Sequence, residues 1–256
     1  MVELVDTHCH LDAAEFDADR DAVIERALKA GVARQIVPAI ARSGFAKLRD
    51  LCAGTAGLFP AWGLHPMFLA EHRPAHLDEL ATWIASERPV AVGECGLDFF
   101  VDGLDAEAQR QYFDAQLKLA RDADLPVIVH ARRALDEVTA AIRRSGVRAG
   151  VVHSFSGSRQ QAEALWKLGF SLGIGGPVTH ERAKRLRGVV ADMPIEFLLL
   201  ETDAPDQPPA RHRGRRNEPA LLVEVLDVVA RLRGAEPDAI AAATTANAER
   251  LFGLPA

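Results

Sequence analysis

Short apolar runs recur along the chain and end near Thr7, Ala39, Gly63, Gly93, Val129, Val152, Ile174 and Leu200, with amphipathic stretches between them. Pro126-Val127-Ile128-Val129 and Phe197-Leu198-Leu199-Leu200 are continuously apolar, as parallel strands buried on both faces should be. Between the runs, residues 19–31 set Ala22, Val23, Ala27 and Leu28 on one stripe and stop at a glycine, a common helix terminator. Residues 106–124 and 133–146 repeat that logic, and residues 217–232 and 237–251 read as two closing helices. Eight strands alternating with helices predict an α/β protein with a parallel sheet.

Six potential metal ligands, His8, His10, Glu94, His130, His153 and Asp203, stand where such runs end. They come from the first, fourth, fifth, sixth and eighth strands, and only closure brings strand eight beside strand one. The expectation is therefore a (β/α)8 TIM barrel with its active site at the C-terminal mouth. A doubly wound open sheet would gather its ligands at one switch point, and a nucleotide-binding version would carry a glycine-rich first turn, which is absent. With no linker or repeat in sight, residues 1–256 are expected to form a single metallohydrolase domain.

Composition narrows the class. A hydrophobic fraction of 48% supports a large core. The opening Met1-Val2-Glu3-Leu4-Val5 lacks a basic leader, and no apolar run approaches the ~20 residues of a membrane span, so a soluble cytoplasmic protein is expected. Cys9, Cys52 and Cys95 are widely spaced and odd in number, which argues for free thiols over disulfides. A net charge of −6 disfavours tight nonspecific binding to duplex DNA. Positive charge is concentrated instead in Arg211-His212-Arg213-Gly214-Arg215-Arg216, inside the irregular stretch 204–216. Its position directly after Asp203 favours phosphate steering at the mouth by Arg213, Arg215 and Arg216.

The ligand types suggest the chemistry. Residues two apart in an extended chain share a face, so His8 and His10 can grip one ion, while His130 and His153 suit a second. Glu94 can bridge the two with its two oxygens. Asp203 needs a compensating charge so close to apolar strands. Glu201 competes with it for the ligand role, and Asp6 reads as a buried structural partner. Imidazole-rich sites suit Zn²⁺, whereas carboxylates with phosphate suit Mg²⁺ or Mn²⁺, so two divalent ions per subunit are expected with the element left open.

Taken together, Asp6-Thr7-His8-Cys9-His10, Gly63-Leu64-His65-Pro66, Gly93-Glu94-Cys95-Gly96-Leu97-Asp98, His153-Ser154-Phe155-Ser156-Gly157, Glu201-Thr202-Asp203-Ala204-Pro205 and Arg216-Asn217-Glu218-Pro219 resemble the TatD family of metal-dependent deoxyribonucleases. The resemblance implies one ion on His8, His10 and Asp203, another on His130 and His153, and Glu94 shared between them. It also implies exonucleolytic attack from the 3′ end. Departures are Met67 where many relatives carry histidine, Asp206-Gln207 where an aromatic-aliphatic pair is common, and Phe99-Phe100 in place of frequent tyrosines.

The expected reaction is hydrolysis of single-stranded DNA, with RNA as a second candidate substrate, by a metal-activated water, with Asp203 as ligand and base and Glu94 as bridge. His65 is a candidate phosphate contact or leaving-group acid. Arg132 could contact phosphate, and of Phe99 and Phe100 one could stack an end base while the other joins the core. A stable protein partner is not expected, and a monomer is. Two competing readings are a hydrolase of a small ester, an amide or an aminoacyl-tRNA bond, and a non-catalytic nucleic-acid-binding protein.

Overall fold

The computed structural model describes residues 3–255. Eight strands alternate with helices in the order β1 (Leu4–Asp6), α1 (Arg20–Lys29), β2 (Val32–Pro38), α2 (Phe45–Gly54), β3 (Leu58–Trp62), α3 (Ala75–Glu87), β4 (Ala91–Asp98), α4 (Ala106–Asp122), β5 (Val127–Arg132), α5 (Leu135–Ser145), β6 (Gly150–Val152), α6 (Arg159–Trp166), β7 (Phe170–Ile174), α7 (Lys184–Asp192), β8 (Leu198–Leu200), α8 (Leu222–Arg233) and α9 (Pro237–Phe252). All ladders are parallel and follow chain order from β1 to β8. No helix among the described residues is long and apolar enough to cross a membrane.

The circle closes through individual hydrogen bonds between the first and last strands. Thr7 N donates to Leu200 O at 3.0 Å, Asp203 N to His8 O at 2.8 Å and His10 N to Ala204 O at 2.7 Å. Asp6, fully buried, rivets the same seam by accepting from Thr202 N at 2.9 Å and from the Thr202 hydroxyl at 2.5 Å. Burial pushes its carboxyl up to about 7, against the lowering effect of those hydrogen bonds.

Side chains divide between two cores. Val5, Ile36, Ala61, Ala91, Ile128, Val151 and Leu199 fill the barrel interior, and Ala248, Phe252 and Leu254 at the end of the chain pack beneath them. Their strand neighbours, including Val37, Trp62, Val92, Val129, Val152 and Leu198, face the surrounding helices. Period-two alternation explains why His130, two beyond Ile128, and His153, two beyond Val151, point inward above this plug.

Two strands run further than their apolar runs. Glu94 and His130 lie inside β4 and β5, whose outer halves pair from Cys95 with Val129 to Asp98 with Arg132. The ladder is irregular between Val92 and Cys95, which shifts the alternation so that Glu94 faces the cup and Cys95 the outer core. Gly96, with φ +147°, sits where a Cβ would fall 2.9 Å from the His130 carbonyl carbon, so this close pairing requires glycine.

Helix ends follow local chemistry. Asp105 caps α4 by accepting from Glu107 N and Ala108 N, and Ser158 with Gln161 forms a capping box on α6. The closing segment expected at 217–232 begins with a short 3-10 turn, Pro219–Leu221, before α8 proper.

Candidate metal centre

The mouth gathers all six expected ligands around one buried carboxylate. Glu94 Oε2 lies 3.2 Å from His8 Nε2 and 3.4 Å from His10 Nε2. The two imidazole nitrogens are 3.2 Å apart, and Asp203 Oδ1 is 3.5 and 3.7 Å from them. Atoms bound tetrahedrally to a cation at ~2.0–2.1 Å lie about 3.3 Å from one another, so the His8, His10 and Glu94 atoms fit a single divalent ion, with Asp203 Oδ1 beside both imidazoles. On the opposite side Glu94 Oε1 lies 3.0 Å from His130 Nδ1 and 2.8 Å from His153 Nε2, which are 3.2 Å apart. Each Glu94 oxygen thus faces its own set of donors.

Electrostatics agrees with a cation site. Burial opposes ionisation of Glu94, but His65, His153 and His8 with the hydrogen bond from His10 outweigh it and hold the carboxyl well below its usual range. Burial likewise opposes charge on His10 and His153, yet Glu94 raises them to about 9 and about 10. Burial dominates at His8 and lowers it to about 4. One carboxylate faced by crowded imidazoles is a donor set that divalent ions suit, each displacing protons as it binds.

Neighbouring groups orient the ligands. His10 Nδ1 donates to Pro38 O at 3.3 Å, leaving Nε2 for the cup. His130 donates Nε2–H to Asp98 Oδ2 at 2.9 Å, leaving Nδ1 for the cup. Burial opposes ionisation of Asp98, but His130 and the Phe100 and Val101 amides bring its carboxyl down to about 2. Glu201 lies fully buried with its Oε1 accepting from Ser154 N at 2.5 Å and 3.8 Å from His153 Nδ1. Burial lifts its carboxyl to about 8.

His8, His153 and Glu201 also bring polar atoms within 4.8 Å of one another. A neutral imidazole that offers Nε2 to the cup carries its proton on Nδ1, so this group stands behind the cup and is not a third ion site; among the described residues His8 Nδ1, His153 Nδ1 and Glu201 Oε2 have no hydrogen-bond partner. Gly173 makes room for it, because a Cβ there would fall 2.7 Å from the Glu201 carboxyl carbon.

His65 occupies the rim as a donor. Its Nδ1 accepts from Met67 N at 3.1 Å, so in the neutral ring, favoured by burial, the proton sits on Nε2, 2.9 Å from Glu94 Oε1. A protonated nitrogen cannot coordinate an ion, so proximity to Glu94 and His130 does not make His65 a ligand. Two buried glutamines on α4 hold this rim. Gln116 pairs with Leu64 through both its amide groups, at 2.7 and 3.0 Å, and Gln109 pairs with Asp98 in the same way at 2.8 and 2.9 Å. Sequence reasoning passed over this pair, although two amides seven residues apart on the apolar stripe of a helix were a usable signal. Asp98, within the Gly93–Asp98 motif, and Gln207, which donates to Asp203 Oδ2, carry no local signal of these contacts.

The substrate-contact candidates are distributed unevenly. Arg216 pairs with Asp19 and donates to Glu15 O, with its guanidinium 4.6 Å from the Phe16 ring centre, so its charge is engaged away from the cup. Arg213 and Arg215 are exposed. Phe99 is half-buried against the outer core with Arg110 over its ring, whereas Phe100 is exposed with Arg132 stacked on it. The thiols of Cys9 and Cys95 turn away toward the Ile36 and Ile128 carbonyls.

A family profile described as TatD related DNase matches residues 5–253. The chain is 44% identical to an Escherichia coli protein named uncharacterized metal-dependent hydrolase YjjV, over the full length of both. It is 36% identical to the 3′-5′ ssDNA/RNA exonuclease TatD of Erwinia billingiae, over 99% of this chain and 100% of that one. The crystal structure of the E. coli YjjV protein, a TatD homolog, superposes with a TM-score of 0.96 at 43% identity over 98% of each chain. With its barrel and buried histidine–glutamate cluster, the chain belongs to the TatD family of metal-dependent hydrolases, enzymes that act on ester bonds.

Proposed function

We propose that the protein is a 3′–5′ exonuclease that hydrolyses phosphodiester bonds of single-stranded DNA, and of RNA, with two divalent ions. The observation that carries this reading is Glu94, whose two oxygens face separate histidine sets, the arrangement a pair of ions needs to clamp one phosphoryl group. Relatives named as 3′-5′ ssDNA/RNA exonucleases support the polarity and the substrate.

His8, His10 and Asp203 would hold one ion, His130 and His153 the other, with Glu94 shared. Bound there, divalent ions polarise a phosphoryl oxygen and lower the pKa of a water. Asp203 takes that water's proton, a contribution of ~10²–10⁴-fold in rate. His65 offers Nε2–H to a non-bridging or leaving oxygen, held in place by Met67 N and by the Gln116 clasp on Leu64. Asp98 keeps the His130 ring in the right tautomer, and the Glu201 carboxyl lies 3.8 Å from His153 Nδ1.

The test is metal-depleted protein reconstituted with Mg²⁺, Mn²⁺ or Zn²⁺ and assayed on oligonucleotides blocked at the 3′ or 5′ end. Cleavage that stops with the 3′ block and vanishes in Asp203→Asn is expected. Intact oligonucleotide alongside a cleaved small ester or aminoacyl bond would reject the reading.

A further inference from the structure

One carboxylate ties the metal centre to an exposed aromatic on the rim. Asp98 Oδ2 accepts from the metal-facing ring of His130, while Oδ1 accepts from Phe100 N at 2.8 Å and Val101 N at 3.0 Å. The turn after β4 is therefore indexed to a ligand side chain, and Phe99 N donating to Arg132 O at 2.9 Å fixes it to the end of β5. On this turn Phe100 is 43% exposed, one of three large hydrophobic side chains exposed to this degree among the described residues.

Two guanidinium groups lie against it. Arg132 Cζ is 3.6 Å and Arg133 Cζ 4.6 Å from the Phe100 ring centre. Neither guanidinium has an ion-pair or hydrogen-bond partner among the described residues, and Arg133 adopts a left-handed backbone with φ 55°. Non-glycine residues in that region concentrate where function requires them. A guanidinium flat on a ring keeps its N–H edge free for a bidentate acceptor. A cavity of about 460 Å³ adjoins Arg133 and Phe99. Of the acids in its wall, Glu137 is paired with Arg110 and Asp136 accepts from Gln161, and neither forms an ion pair with Arg133.

We propose that Phe100, Arg132 and Arg133 form a nucleotide subsite beside the scissile bond. The stacked planes receive one base, and the arginine edges receive its phosphate. Aromatic rings and guanidinium planes hold single-stranded bases without regard to sequence, which suits an enzyme that advances along a strand. This assignment rests on the nuclease reading and gives the aromatic contact to Phe100, with Phe99 packed against the core.

The test compares wild type, Phe100→Ala and Phe100→Trp on a single-stranded oligonucleotide, on the same strand with a base-free spacer in each of its terminal positions in turn, and on bis(p-nitrophenyl) phosphate. Phe100→Ala is expected to raise KM about tenfold on the normal strand with kcat within twofold, and Phe100→Trp to restore it. One spacer position should raise the wild-type KM and erase the difference between variants, and the small diester should show none. Arg133→Ala should lower the salt dependence of 1/KM by about one phosphate contact, a log–log slope change of ~0.7. Equal damage to the small diester would mean that Phe100 only braces Asp98 and His130, and an unchanged oligonucleotide KM would also overturn the subsite. A wild type that leaves every oligonucleotide intact while cleaving bis(p-nitrophenyl) phosphate would instead sink the nuclease reading, and the subsite with it.

Discussion

Gln207 donates its side-chain amide to the Asp203 oxygen that faces away from the histidines. A carboxylate only accepts, so the amide nitrogen must face Asp203, and its Oε1 in turn accepts from the Ser154 hydroxyl at 2.8 Å. Ser154, Asp203 and Gln207 all have left-handed backbones, with φ of 46°, 57° and 49°. Three such residues in one relay connect the loops after β6 and β8. Groups of this kind are worth ~10–100-fold in metal affinity. Gln207→Leu should therefore weaken ion binding by about tenfold, and Gln207→Glu by more, because two acceptors would then oppose each other. Calorimetric titration of metal-depleted protein reads the effect, and an unchanged affinity would make the amide incidental.

Glu94 belongs to both proposed ion sets, so its loss should change stoichiometry as well as affinity. At an ion concentration of 100 Kd, binding adds ~2.7 kcal/mol to folding stability, a rise of roughly 5–10 °C in melting temperature for a chain of this size. Chelation should remove that rise from wild type. Glu94→Gln should show a much smaller one, with fewer than two ions per chain by elemental analysis. Two ions retained at wild-type affinity would contradict the bridging role.

Gln116 clasps Leu64 from inside the protein, and Leu at that position would leave a buried N–H and C=O unpaired. Each such group costs ~1–3 kcal/mol, so Gln116→Leu should destabilise by about 2–6 kcal/mol in urea denaturation with m unchanged. Because the loop carries His65 and no proposed metal ligand, turnover should fall more than metal affinity. Parallel losses in the two would show that the clasp serves the whole mouth.

Burial raises the Cys52 thiol from 9.0 to about 12. The unfolded chain releases this proton near pH 9 while the native chain keeps it, so the unfolded state binds fewer protons above that pH. Stability from Cys52 is therefore complete below pH 9 and falls as pH rises toward 12, at roughly 1.4 kcal/mol per pH unit. Cys52→Ala should flatten the stability profile by that slope. Iodoacetamide should label Cys52 at pH 8 orders of magnitude more slowly than an unfolded thiol, and rapid labelling would show that the helix opens readily.

The order of elements and the six residues that gather in the cup were legible along the chain because a buried parallel strand must be apolar throughout. A histidine or carboxylate at its end then stands out against that run, as His130 does after Val127-Ile128-Val129. His8 and His10 were paired by their spacing alone, and Cys9 between them was correctly turned away. Other features were hidden because they depend on partners distant in sequence. Nothing local says that Arg216 meets Asp19, that Gln116 meets Leu64, or that Phe100 and not Phe99 is left exposed.

The sequence alone determined which residues could carry metal chemistry and that they share one mouth, since strand periodicity and chain order are properties of consecutive residues. Tertiary structure decided the phase and the protonation. A ladder irregularity beside Glu94 chose which side chain enters the barrel, and the bond from Met67 N to His65 Nδ1 decided that His65 donates and does not ligate. Both outcomes follow from hydrogen bonds whose partners are assigned only when the chain has closed on itself.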